Sequence, residues 1–111
     1  MVRRMRPSEQ REAIKRRKRE YVALFVSISE ALFKADPIGI NFNFNTNTDE
    51  YEPEAGTIIP RLRSATSEAD VQSIVNEEFC RWFYPANVGP REAYASVSAA
   101  IWKLWCAFQR P

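Results

Sequence analysis

Tyr21-Val22-Ala23-Leu24-Phe25-Val26-Ser27-Ile28-Ser29-Glu30-Ala31-Leu32-Phe33-Lys34-Ala35-Asp36-Pro37 holds no glycine, and its only proline stands at the end. Tyr21, Leu24, Phe25, Ile28, Ala31 and Leu32 fall at i, i+3, i+4, i+7, i+10 and i+11. Those offsets lie on one side of a helix, so the stretch predicts an amphipathic helix with one buried stripe. Pro37 stops it, because proline drives the preceding residue out of the α region.

Upstream, nothing breaks the helical pattern back to Pro7-Ser8-Glu9-Gln10-Arg11, where Ser8 is placed to cap. The character changes, however. Residues 1–20 carry nine basic residues against Glu9, Glu12 and Glu20, a net of +6. The remaining residues carry seven basic and eleven acidic ones, a net of −4, so the overall +2 conceals a dipole. Residues 1–20 are therefore expected to be a basic arm or helix extension, with packing beginning near Tyr21. Residues 21–111 form the single helical domain. A chain of 111 residues buries roughly 65% of its unfolded surface, enough for one core without metals or disulfides.

Downstream of Pro37 the stretch Asp36 to Glu54 reads as a long ordered loop. Asp36, Gly39 and Asn41 are turn formers. Ile40, Phe42 and Phe44 alternate with Asn41, Asn43, Asn45 and Asn47, so the aromatics are expected to pin an extended segment to the core. Asp49 or Glu50 opens the second helix, with Pro53 in its first turn. Ala55, Ile58, Ile59, Leu62 and Ala65 form its apolar side, and Gly56 and Pro60 make it short and kinked. Ser67 caps a third helix striped by Val71, Ile74, Val75, Phe79, Trp82 and Phe83, which Pro85 ends. Gly89-Pro90-Arg91-Glu92 starts the last helix, striped by Tyr94, Val97, Ile101, Leu104, Trp105 and Phe108. The fold class expected is all-α, a small four-helix bundle-like domain with a long loop between helices 1 and 2.

Asp36-Pro37-Ile38-Gly39-Ile40-Asn41, then Asn47-Thr48-Asp49-Glu50-Tyr51-Glu52-Pro53-Glu54, then Glu78-Phe79 and Trp82-Phe83 resemble a group of short bacterial helical proteins of unknown function. In that group a D-P-x-G-(I/L) turn leads to a D-E-Y-(D/E)-x-E segment. The resemblance covers roughly residues 30–108 and implies architecture more than activity.

Catalytic chemistry finds little support. Histidine, the side chain best suited to proton transfer near neutral pH, is missing altogether. No Walker loop, GxGxxG or CxxC appears, and Cys80 or Cys106 as a nucleophile lacks a histidine base. A non-enzymatic protein with no cofactor is expected. Both cysteines are read as reduced and half-buried, in a cytoplasmic bacterial chain, since no secretory h-region is seen. No apolar run reaches the ~20 residues that span a bilayer, so no membrane partner is expected.

Three surfaces remain as candidates. Asp49, Glu50, Tyr51 and Glu52 form an acidic aromatic surface able to dock a partner's Arg or Lys. Its acids, with Glu54, also suit a helix N-terminus, or a cation together with Asn45 and Asn47. The spacing departs from an EF-hand, so no metal is expected. Trp102 lies off the core stripe, beside Lys103, and reads as an interface anchor or a seam-covering indole. Arg11, Lys15, Arg16, Arg17 and Arg19, with Lys18, are the alternative: phosphate contacts to nucleic acid without base readout. The preferred expectation is a helical interaction protein that binds and blocks another macromolecule, most simply a protein, in the manner of immunity or inhibitor proteins. Self-association through Trp102 or the basic arm is the third.

Overall fold

The computed structural model describes residues 7–38 and 51–109, with side chains at 11–13, 15–38 and 51–109. Described residues form α1 (Pro7–Ala35), α2 (Glu52–Ile58), a 3₁₀ segment (Ile59–Ser64), α3 (Glu68–Trp82), α4 (Pro85–Val88), a second 3₁₀ segment (Arg91–Tyr94) and α5 (Ala95–Gln109). The protein is all-α over these residues. Five α-helical segments replace the four read from the sequence, because α4 is a single turn that proline and glycine punctuation hides.

The 29 residues of α1 run unbroken through the expected arm boundary at residues 20 and 21, over roughly 43 Å at 1.5 Å per residue. Leu24, Ile28 and Leu32 are buried, and Phe25 and Ala31 pack partly against the core. Tyr21, on the same stripe, stays 42% exposed. At the C-terminus the Asp36 N–H bonds Leu32 O at 2.8 Å, and Asp36 takes φ = 44°. Proline disfavours the right-handed α conformation in its predecessor, and aspartate is among the few non-glycine residues that tolerate the left-handed one.

Proline also explains the second helical region. Pro60 would break an α-helix, but it stands in the first turn of the 3₁₀ segment, where no N–H is required of it. The expected kink is therefore a change of helix type. α3 begins as read: Ser67 Oγ accepts the Asp70 N–H at 3.2 Å, and Asp70 Oδ2 accepts the Thr66 N–H and hydroxyl, both at 2.9 Å. The Thr66 N–H, followed by its hydroxyl, holds the Asp70 carboxyl below the usual carboxylate range. Phe83 and Tyr84 are extended ahead of Pro85, which opens α4. Gly89 closes that turn at φ = 76°, a value that favours glycine.

The expected last helix from Gly89 is instead a 3₁₀ turn followed by α5. Two side chains tie that turn to α3: Arg91 Nη2 donates to Ala69 O at 3.0 Å and Gln72 Nε2 to Arg91 O at 2.8 Å. α3 packs against both α5 and α2, as α1 does, so the core lies between these pairs. Phe79, fully buried on α3, meets the rings of Tyr51, Phe83 and Tyr94 at centroid distances of 5.9, 5.7 and 5.3 Å.

Tyr94 donates its phenol to Val88 O at 2.6 Å, and burial, with a smaller push from the Cys80 thiolate, raises its pKa to about 12. An unfolded tyrosine ionises near 10. Because the folded value is the higher one, this stabilisation is complete below about pH 10 and is lost as pH climbs towards 12. Thermal melts of wild type and Tyr94→Phe across that range are expected to converge as pH rises, since only the wild type loses this contribution.

Candidate functional site

The acidic aromatic surface is dismantled in part by packing. Tyr51 is fully buried, stacked on Phe79, and cannot offer its ring to a partner. Its hydroxyl donates to Asp36 Oδ1 at 2.6 Å and accepts the Ile38 N–H at 3.2 Å, so it clasps the end of α1 from the start of α2. Burial of an aromatic ring is favourable enough to draw it inward even from a loop rich in charge. Glu52 is exposed, whereas Glu54 is buried, and both stand in the first turn of α2. Tyr51 itself is the N-cap residue, without a side-chain capping bond. Asp49 and Glu50 lie outside the described residues, as do Asn45, Asn47 and the Ile40–Phe44 segment. Among the described residues no three potential ligands converge on a metal site.

Trp102, read as an interface anchor or a seam-covering indole, is partly buried and packs against the core. Trp82, read as part of the α3 stripe, is 46% exposed, with Nε1 donating to Thr57 Oγ1 at 3.0 Å. It sits at the C-terminal end of α3, next to Phe83, which supplies the inward ring instead. Beside it Arg61 reaches Glu78 at 2.9 Å and Glu77 at 2.7 Å, and Arg81 lies 3.4 Å from Glu78. Glu78 is nearly inaccessible, so the charge is buried only because a guanidinium meets it there. The Glu77 carboxylate raises the Arg61 pKa further above its ordinary value. Cys80 is exposed, unlike the half-buried thiol expected, while Cys106 is partly buried, and both are free.

The basic run keeps its expected exposure. Arg11, Lys15, Arg16, Arg17, Lys18 and Arg19 are all exposed. Among the described residues only Arg17 of this set has an ion-pair partner, Glu20 at 3.0 Å. Arg17 also donates to Phe108 O at 3.3 Å, and its guanidinium carbon lies 3.9 Å from the centre of the Phe108 ring. This interaction covers a carbonyl at the end of α5, where the helix dipole leaves partial negative charge. Packing therefore starts one turn earlier than Tyr21.

Around Arg17 the chain encloses a cleft of about 630 Å³, lined by Tyr21, Ile59, Pro60, Arg63, Trp105 and Phe108 among others. Tyr21 meets Phe108 edge-on at 6.3 Å, and Trp105 stacks on Phe108 at 5.6 Å. The sequence shows no aromatic platform beside the basic run, because Arg17 and Phe108 lie 91 positions apart. In the sequence Tyr21 simply continues the apolar stripe, so its exposure in the fold leaves no local signal.

No family model matches this chain, and neither does any curated protein or solved structure. Among the described residues no helix is long and apolar enough to cross a membrane.

The Tyr51 hydroxyl joins α1 to α2 through two bonds. Tyr51→Phe is expected to lower unfolding free energy by about 1–3 kcal/mol in urea titration, the range for stranding buried polar partners. Its effect on binding to any partner is expected to be absent.

Proposed function

We propose that this chain is a non-enzymatic binding module that holds nucleic acid by its phosphates through the cationic half of α1. One observation carries the reading: Arg11, Lys15, Arg16, Lys18 and Arg19 stand exposed on one helix, with no ion-pair partner among the described residues. Five consecutive basic residues, 15 to 19, step about 100° apart, so they surround the helix rather than marking one side. A helix charged all round suits contact with a polyanion's backbone, not the reading of base edges from one face. The net charge of +6 over residues 1–20 also gives long-range steering towards such a polyanion. A cytoplasmic setting accords with the two free cysteines.

A protein partner that this chain binds and blocks is the second reading. Trp82 and Tyr84 favour it, being 46% and 80% exposed near the end of α3, since exposed aromatic rings commonly anchor protein interfaces. Trp82→Ala is expected to abolish co-purification of such a partner while leaving nucleic-acid binding intact. Retention of every partner by that variant would refute this second reading.

The first reading is tested by measuring oligonucleotide affinity against salt. Log affinity is expected to fall linearly with log salt. Replacing Lys15, Arg16, Lys18 and Arg19 with glutamine should make the slope shallower, by about 0.7 on single strands for each phosphate no longer neutralised. A flat wild-type dependence would refute it.

A further inference from the structure

We infer that the cleft at the foot of the basic helix receives one unstacked base, so that the protein selects single-stranded nucleic acid over duplex. This rests on the phosphate-binding reading of α1 and adds to it a second, chemically different interaction. Three features of the cleft point to a flat, apolar occupant joined to negative charge.

The first is its surface. Tyr21, Phe108, Ile59 and Pro60 line it. Trp105, also in the lining, is buried, and Phe108 already carries Trp105 and the Arg17 guanidinium, so Tyr21 is the ring left open to an occupant. Tyr21 is 42% exposed although it lies on the apolar stripe of α1. Every base offers a π-face, so stacking on such rings is favourable whatever the sequence. The volume of about 630 Å³ falls within the usual span of small-ligand clefts, roughly 300–1,000 Å³.

The second is the charge at its rim. Arg17 is held by Glu20, by Phe108 O and by the Phe108 ring, so its guanidinium is positioned before any ligand arrives. Arg63 stands exposed on the 3₁₀ segment, with no ion pair among the described residues. Among the described lining residues two are guanidiniums and none is a carboxylate, which leaves the rim cationic and complementary to phosphates on either side of a seated base.

The third is continuity. Arg17 belongs both to the basic run and to the cleft, so a strand tracking the α1 cations is delivered directly to the aromatic surface. Bases in a duplex are stacked inside it and reach such a cleft only by being flipped out, which requires unstacking energy. A single strand needs no such step. The cationic surface alone would accept both forms.

The test uses the full chain and fluorescent oligonucleotides of equal length at one salt concentration: oligo-dT, the same strand made abasic, and a mixed-sequence duplex. Oligo-dT is expected to bind about fivefold more tightly than either of the others, the low end of what stacking one base on an aromatic ring contributes. Tyr21→Ala should remove that advantage and leave abasic and duplex binding unchanged, Tyr21→Phe should restore it, and Arg63→Gln should weaken oligo-dT binding alone. Equal binding of all three probes with a steep salt slope overturns the cleft inference and leaves the phosphate reading standing. Failure of every probe to bind overturns both. A Tyr21→Ala loss shared by all probes, or displacement of oligo-dT by an acidic tyrosine-containing peptide at lower concentration than by unlabelled oligo-dT, also overturns it, the latter in favour of a protein occupant.

Discussion

Phe79 is the ring on which the rest of the molecule converges. It is fully buried near the end of α3 and touches Tyr51 ahead of α2, Phe83 beyond α3 and Tyr94 ahead of α5. None of these three neighbours lies within the body of a helix of two turns or more. Stacked and edge-on rings gain from both buried area and quadrupole alignment, so one side chain positions three helix ends at once. These ends in turn help place α1 and α5, because Tyr51 clasps Asp36 at the end of α1 and Tyr94 bonds Val88 before α5 begins.

Against that anchored core, α1 is too long. Its apolar stripe is buried from Leu24 to Leu32, whereas its other half carries charge that the body does not neutralise. Buried surface holds one half of the helix, and cationic repulsion leaves the other half facing solvent. Arg17 marks the transition. It is the member of the basic run that the body engages, and the engagement is with the end of α5, where helix carbonyls and an aromatic ring both attract a guanidinium.

Local signals read well where a helix depends on its own residues. The four-residue spacing of Leu24, Ile28 and Leu32, the Ser67 cap and the proline stop of α1 follow from backbone sterics and from amphipathic burial. They fail where position depends on a distant neighbour. Tyr51 lies among acids and reads as surface, yet Phe79 draws it into the core. Trp82 fits the helical period, yet Phe83 takes the inward position and Thr57 holds the indole outside. Glu78 reads as another surface acid until Arg61, from the 3₁₀ segment, allows it to be buried.

By itself, the sequence determined that this protein is helical over its described residues, where α1 stops and α3 starts, and that its first twenty residues carry a net charge of +6. Periodicity, proline and charge act over a few residues, so they can be read without knowing the fold. Tertiary structure alone decided that Tyr21, Trp105 and Phe108 would meet beside Arg17 and Arg63. That cleft joins residues from opposite ends of the chain, and no local propensity encodes which helix ends will touch. It exists because α1 packs on both α2 and α5, which brings the foot of the basic helix to the end of the apolar one.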